Sequence, residues 1–160
     1  ITHGFSGSGK TTVTRERMQS PGAVRLRSDV ERKRMAGLDA LAHSGSTLGG
    51  GLYAADATQR TYARLAALAG GVLDAGWPAI VDATFTARRQ RALLREVAAA
   101  RGVPFRILDF AAPREVLRQR ILARAQAGTD ASEANLAVLD QQIRNAEPLD
   151  ADERRVADSV

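Results

Sequence analysis

The run Gly4-Phe5-Ser6-Gly7-Ser8-Gly9-Lys10-Thr11 puts four spacer residues between a glycine and a Gly-Lys-Thr end, which is the full Walker A spacing. Each fixed residue type serves phosphate chemistry. Glycines let the backbone turn tightly and aim successive N–H groups inward, so an anion nest forms where a helix begins. The helix dipole adds partial positive charge at the same point. Lys10 supplies a mobile cation for the β- and γ-phosphates, and the Thr11 hydroxyl is a hard oxygen ligand for Mg²⁺. The expected ligand is a magnesium nucleoside triphosphate. Its contacts would be Gly4, Phe5, Ser6, Gly7, Ser8, Gly9, Lys10, Thr11 and Thr12. Lysine is scarce here, two against 21 arginines, and one of the two stands where the motif demands it.

Other residues have the chemistry to act beside such a ligand. Asp29 could take a proton from an acceptor hydroxyl or hold a magnesium-bound water; it could equally be a first-turn acid paired with Lys33. Arg32, three residues on, shares its side of the helix and could orient an acceptor, unless it is a plain surface arginine. Asp82 closes the apolar run Ala79-Ile80-Val81 as a Walker B carboxylate does, reaching the metal directly or through water, or else is a strand-end acid facing solvent. Thr84 could hydrogen-bond a ligand from the following turn. Arg120 and Arg124 are four apart, opposite Leu117 and Ile121, so they could grip growing γ-phosphate charge from a covering helix or form an ordinary charged face. Arg118 is a weaker member of that set, and His3 and His43 are isolated residues with no assigned role.

The elements that must position these groups alternate in type. A helix is expected from Lys10 to about Gln19, ended by Ser20-Pro21-Gly22. Val24 and Leu26 alternate with Arg25 and Arg27, as in a half-exposed edge strand. Ser28-Asp29-Val30-Glu31 matches a capping box opening a short helix through Ala36. Residues 37–51 hold five glycines and read as a surface loop of functional length. A long helix over 52–75, a buried strand ending at Asp82, and a helix over 87–101 stopped by Gly102 follow. A second buried strand over 105–110 leads into a helix from Pro113 to about Ala127. Then come a turn over 128–131 and a helix capped by Ser132 and ended near Pro148. Strands alternating with helices mean an α/β fold with a mainly parallel sheet, and its ligands collect at the carboxyl ends of the strands.

Composition bounds the function. The 160 residues make one domain, and no run is long and apolar enough for a membrane span. With no cysteine, thiolate metal sites and cysteine nucleophiles are excluded, and a cytoplasmic setting is expected. A net charge of +5 favours anionic partners, nucleic acid or a triphosphate, while 4% aromatics leave no stacking platform for single strands. The chain starts at Ile1, close before the glycine loop, and Val156 to Val160 read as the approach to a further strand, so a fragment of a longer polypeptide is expected. GTPase switches need an Asn-Lys-x-Asp motif that is missing, and motor ATPases need a longer domain.

The segments 25–34, Ile80-Val81-Asp82-Ala83-Thr84-Phe85 and Glu147-Pro148-Leu149-Asp150 resemble those of small P-loop kinases. The resemblance is to the bacterial predicted-kinase family that often forms the carboxyl-terminal half of a chain whose other half is aminoglycoside phosphotransferase-like. More distantly it extends to polynucleotide 5′-kinases and zeta-toxin kinases. It implies a P-loop NTPase three-layer sandwich, a mainly parallel five-stranded sheet of order 2-3-1-4-5 and a helical lid. It also implies Asp29 as catalytic base, Arg32 as its helper, Asp82 near the metal, and Arg124 with Arg120 on the lid. Transfer of the ATP γ-phosphoryl group to a small-molecule hydroxyl is the leading expectation. A polynucleotide 5′-hydroxyl acceptor, or a non-catalytic ATP-binding module serving a fused phosphotransferase-like domain, stands beside it.

Overall fold

The computed structural model describes residues 1–17, 22–42, 44–45, 50–51, 54–127 and 130–160. The expected ends at Gln19, Ser20 and Pro21, residues 46–49 of the expected loop, the helix start at Leu52, the first half of the 128–131 turn, and His43 lie outside them.

Five short strands and seven helices alternate along the described residues. The strands are β1 (Thr2–His3), β2 (Val24–Arg27), β3 (Ala79–Asp82), β4 (Ile107–Asp109) and β5 (Ala157–Ser159). The helices are α1 (Lys10–Arg17), α2 (Ser28–Met35), α3 (Ala55–Asp74), α4 (Arg88–Ala99), α5 (Arg114–Ala127), α6 (Leu136–Asn145) and α7 (Ala151–Arg155). All pairing is parallel, as expected, but it forms two sheets rather than one of five strands: β1-β4-β5, and β2-β3. At the seam between β1 and β3 a side chain replaces the ladder. Thr2 Oγ1 donates to the Ala83 carbonyl at 2.5 Å and accepts from the Ala83 N–H at 3.0 Å, and the Gly4 N–H donates to Thr84 O at 3.0 Å.

Apolar spacing sets the packing. Leu65, Ala66 and Ala69 of α3 pack with Val81 and Phe85 and with Leu94 of α4. A separate cluster joins Leu117 and Ile121 of α5 to Leu139 of α6, with Phe5 of the glycine loop against it. Among the described residues no helix is long and apolar enough to cross a membrane.

Two expected caps are not formed. Chain leaves β2 straight into α2, so Arg27 is the N-cap, without a side-chain bond, and Ser28 is already helical. Glu31 is instead buried between Arg34 at 2.6 Å and Arg64 at 3.6 Å. Nor does Ser132 cap α6. Its N–H is taken by Asp130 Oδ1 at 2.8 Å, and Asn135 caps the helix by accepting from the Val138 N–H at 3.0 Å.

The turn after β3 is held from several sides, which matters because it carries the cleft residue Thr84. Phe85 sits in the left-handed region at φ +48°, fully buried, edge-on to Tyr62 with 5.2 Å between ring centres. A side chain adopts that backbone only where its surroundings determine it. The Tyr62 hydroxyl accepts from the Phe85 N–H at 3.3 Å, and Arg91 Nη1 donates to the Phe85 carbonyl at 3.0 Å. Arg91, 1% exposed, also donates to the carbonyls of Glu147 and Pro148 and forks onto Glu153 at 2.7 and 2.9 Å.

Removing one partner of such a buried pair strands the other. Arg91→Met is therefore expected to cost about 3–5 kcal/mol, read as a fall in the urea midpoint at unchanged slope. A loss below about 1 kcal/mol would show that the Glu153 carboxylate finds water or another partner.

Candidate active site

The glycine loop joins β1 to α1 at the carboxyl ends of β1 and β3. Gly4, Gly7 and Gly9 have φ of +139°, +85° and +98°, conformations that side chains avoid. Space excludes a side chain at two of them as well. A Cβ on Gly4 would lie 2.5 Å from Phe110 O, and one on Gly7 would lie 2.8 Å from Leu117 O. The close approach of α5 to the loop therefore depends on Gly7.

Lys10 is folded back onto its own loop. Its Nζ donates to Gly4 O at 2.8 Å, Phe5 O at 2.6 Å and Ser8 Oγ at 3.2 Å. Burial pushes its pKa down to about 8, against the opposing pull of Asp82 and then Asp29. Asp82, almost fully buried at the end of β3, accepts from Thr11 Oγ1 at 3.1 Å and Thr14 Oγ1 at 3.3 Å. Burial raises its pKa, and Lys10 and Arg27 hold that rise back. Thr11 and Asp82 thus set two hard oxygens side by side, within electrostatic reach of the Lys10 ammonium. Mg²⁺ takes one or two protein oxygens and completes its shell with phosphate and water, so this pair fits it. Among the described residues no cluster of three or more His, Asp or Glu could hold a metal without such help.

A single cleft of about 680 Å³ collects the rest, and Ser6, Gly7, Gly9, Lys10, Thr11 and Thr12 form its floor. Gly4, Phe5 and Ser8 lie behind that floor, bonded to Lys10, with Phe5 anchored in the α5 cluster. Asp29, Arg32, Asp82, Thr84, Arg120 and Arg124 all line the cleft, whereas Arg118 does not. The Lys33 partner considered for Asp29 is elsewhere, 2.9 Å from Glu133, and Asp29 has no hydrogen bond or ion pair among the described residues. Arg32 Nη1 donates to Thr58 Oγ1 at 3.2 Å. Thr84 Oγ1 shares a hydrogen bond with the Tyr62 hydroxyl at 3.3 Å. From α5, Arg120 reaches Gly7 O at 3.3 Å and Arg124 reaches Ala134 O at 2.8 Å. His3 pairs with Asp109 at 2.7 Å, away from the cleft.

Among the cleft residues that sequence reasoning missed are Arg27, Gln142 and Asp130. Arg27, read as the solvent face of an edge strand, lies 3.8 Å from Asp82 and 2.9 Å from Asp130. Gln142 of α6 accepts from the Ser6 N–H at 2.9 Å and donates to Ser6 Oγ at 3.0 Å. Asp130 falls in the expected 128–131 turn, to which no role was attached. The alternating arginines of β2 were the one available signal, since a charged face on a strand directly before Asp29 must meet something.

A glycine nest closed by a lysine at a helix start, beside a strand-end carboxylate on a parallel sheet, defines a P-loop nucleotide-binding protein. The family profile described as an AAA domain matches residues 1–149, and the chain belongs to that family. A comparison with curated proteins gives no match. Among solved structures, an unliganded sugar kinase from Janibacter sp. HTCC2649 is similar at 22% identity and TM-score 0.69, over 99% of this chain and 82% of that one. A gluconokinase from Sinorhizobium meliloti 1021 is similar at 21% identity and TM-score 0.64, over 99% and 79%. The Mycobacterium tuberculosis APS kinase, in complex with AMPPNP and APS, is similar at 24% identity and TM-score 0.58, over 79% and 72%. The shared property is the fold.

The depressed Lys10 pKa makes nucleotide binding a proton-uptake reaction. A triphosphate favours the ammonium, so the bound state holds more protons above about pH 8, and affinity falls as pH rises through that value. Calorimetry of ATP binding at about pH 8.5, in buffers of different ionisation enthalpy, is expected to show uptake in the native protein. Equal heats across buffers would mean that Lys10 keeps its ordinary pKa. Lys10→Ala is expected to abolish both the uptake and most of the affinity.

Proposed function

We propose that this chain is an ATP-dependent kinase that transfers the γ-phosphoryl group to a hydroxyl of a small molecule. In this reading its strands form one sheet in the order β2-β3-β1-β4-β5. Support for that order comes from the side-chain and backbone bonds that join Thr2 and Gly4 to Ala83 and Thr84 across the seam.

The observation that carries the kinase reading is Asp29. It is a carboxylate without a partner among the described residues, in the same cleft as the glycine loop and the α5 arginines. Nucleotide binding alone has no use for such a group. In transfer, Asp29 takes the proton of the acceptor hydroxyl as its oxygen bonds to the γ-phosphorus and the bond to the β-phosphate oxygen breaks, leaving ADP. Arg32, braced by Thr58, orients the acceptor beside Asp29, and Thr84 is a further hydrogen-bonding group on that side. Lys10 leaves its loop carbonyls for the β- and γ-phosphates, and Arg120 and Arg124 meet the charge that spreads over the transferring group. Thr11 and Asp82 would hold Mg²⁺, which would supply positive charge to the phosphate oxygens. A cleft of 680 Å³ is in the range of small-molecule sites. The likeness in fold to a sugar kinase, a gluconokinase and an APS kinase supports an acceptor of that size.

The test is transfer of labelled γ-phosphate from Mg-ATP to a panel of sugars, sugar acids, nucleosides, aminoglycosides and 5′-hydroxyl oligonucleotides. A small-molecule product is expected, and Asp29→Asn should lower its formation by about 100-fold or more while ATP binding survives. Labelling of the oligonucleotide alone, weakening steeply with salt, would replace the acceptor class. Tight ATP binding with no product from any acceptor would replace the enzyme with a nucleotide-binding regulatory module.

A further inference from the structure

Both lysines of this arginine-rich chain are buried, Lys10 at 8% exposure and Lys33 at 3%. Lys33 does not line the cleft. Its Nζ reaches the Ala40 carbonyl at 3.1 Å and Glu133 Oε1 at 2.9 Å. Glu133, also outside the cleft lining, accepts in addition from the Ser44 N–H at 2.9 Å and the Ser44 hydroxyl at 2.5 Å. Burial works against the Glu133 carboxylate, but the bonds from Ser44 and Lys33 outweigh it and leave its pKa low. The carboxylate is therefore charged and held by three donors.

The residue after Glu133 connects this pair to the cleft. Ala134 is buried, and its carbonyl accepts from Arg124 Nη2 at 2.8 Å. Four residues before Ala134, Asp130 is held by Arg27 at 2.9 Å, and it takes the Ser132 N–H. The stretch 130–134 is thus pinned at Asp130 by the end of β2 and at Glu133 by α2, and between them it sets the position of one carbonyl. A guanidinium has many rotamers to lose, so a fixed acceptor on one nitrogen removes much of that freedom before a phosphate arrives.

We infer that Lys33 and Glu133 are positioning residues for Arg124: their ion pair fixes the Ala134 carbonyl, which aims the Arg124 guanidinium into the cleft for the γ-phosphate. This rests on the kinase reading of the cleft, in which Arg124 senses the γ-phosphoryl group. Neither Lys33 nor Glu133 touches the nucleotide. Their effect is confined to the part of affinity that distinguishes a triphosphate from a diphosphate.

The experiment measures affinity for Mg-AMPPNP and Mg-ADP by calorimetry in the native protein, Arg124→Ala, Glu133→Gln, the neutral pair Lys33→Met with Glu133→Gln, and Glu133→Gln combined with Arg124→Ala. The neutral pair leaves no unpaired buried charge, so it keeps the fold where a single variant fails to. Arg124→Ala is expected to lower the AMPPNP-to-ADP affinity ratio about ten-fold or more, the loss of a charged hydrogen bond. Glu133→Gln and the neutral pair are expected to lower the ratio by several-fold with ADP affinity retained. In the combined variant the Glu133 effect is expected to vanish, because its route through Arg124 is gone. A ratio that stays within about two-fold of native in both Glu133 variants, while Arg124→Ala lowers it, overturns the positioning role and spares the kinase reading. An unchanged ratio in Arg124→Ala overturns both the positioning role and the lid assignment. Additive losses in the combined variant overturn the route through Ala134.

Discussion

The arrangement of this site depends on a buried ammonium. Lys10 has left water for the interior of its own loop, where burial outweighs the pull of Asp82 and Asp29. Three loop oxygens replace its hydration, and two of them are the carbonyls of Gly4 and Phe5. For those carbonyls to face inward, the chain must turn through left-handed conformations at Gly4, Gly7 and Gly9. The same turn brings Gly7 and Gly9 into the lining of the cleft, at the start of α1. One covalent geometry therefore makes both the internal cage for the lysine and the external nest for an anion. In the proposed kinase, phosphate oxygens would take the place of those carbonyls around Lys10.

Around that centre, charge is organised through arginines. Seven cationic side chains line the cleft against the three carboxylates Asp29, Asp82 and Asp130. Such a surplus would push the walls apart unless it were compensated locally. Arg27 lies between Asp82 and Asp130, Arg120 leans on Gly7 O, and Arg124 leans on Ala134 O. Planar guanidinium groups suit this, because each can hold an internal acceptor with one nitrogen and leave others aimed at the cleft. Lysine, a point charge, appears only where a single buried cation is needed, at Lys10 and Lys33.

The local parts of this design were legible in the sequence. The glycine loop is contiguous, so its spacing alone specifies the nest. Asp29 and Asp82 were legible because each ends or follows a recognisable strand, and a parallel sheet gathers strand ends on one edge. Long-range partners left no such trace. Arg27 looked like a solvent-facing arginine because its partner Asp130 is 103 residues away, and Gln142 meets Ser6 across 136 residues. The misplaced caps have a more local origin. Ser28 and Ser132 carried the right pattern, but Glu31 is taken by Arg34 of its own helix and by Arg64, and the Ser132 N–H by Asp130 two residues before it. Two sheets in place of one follow from the shortness of β1, where Thr2 Oγ1 does the bridging that backbone groups were expected to do.

A cleft surrounded by so many cations and yet closed onto itself implies a particular order of events. Without nucleotide, the internal acceptors Asp130, Gly7 O and Ala134 O keep the arginines from repelling one another, and they hold α5 and the 130–134 stretch over the loop. A triphosphate brings in negative charge at the same place. In the proposed kinase each of these arginines would gain a second acceptor without giving up the first, and the covering helix would have little to reorganise. Preorganised donors of this kind act most strongly on charge that grows during a reaction, because no free energy is lost in turning them at that moment. Among the described acids that line the cleft, Asp29 is the one without an ion pair to an arginine. In the proposed transfer such an unpaired carboxylate would be open to the acceptor hydroxyl, with no ion pair to break first.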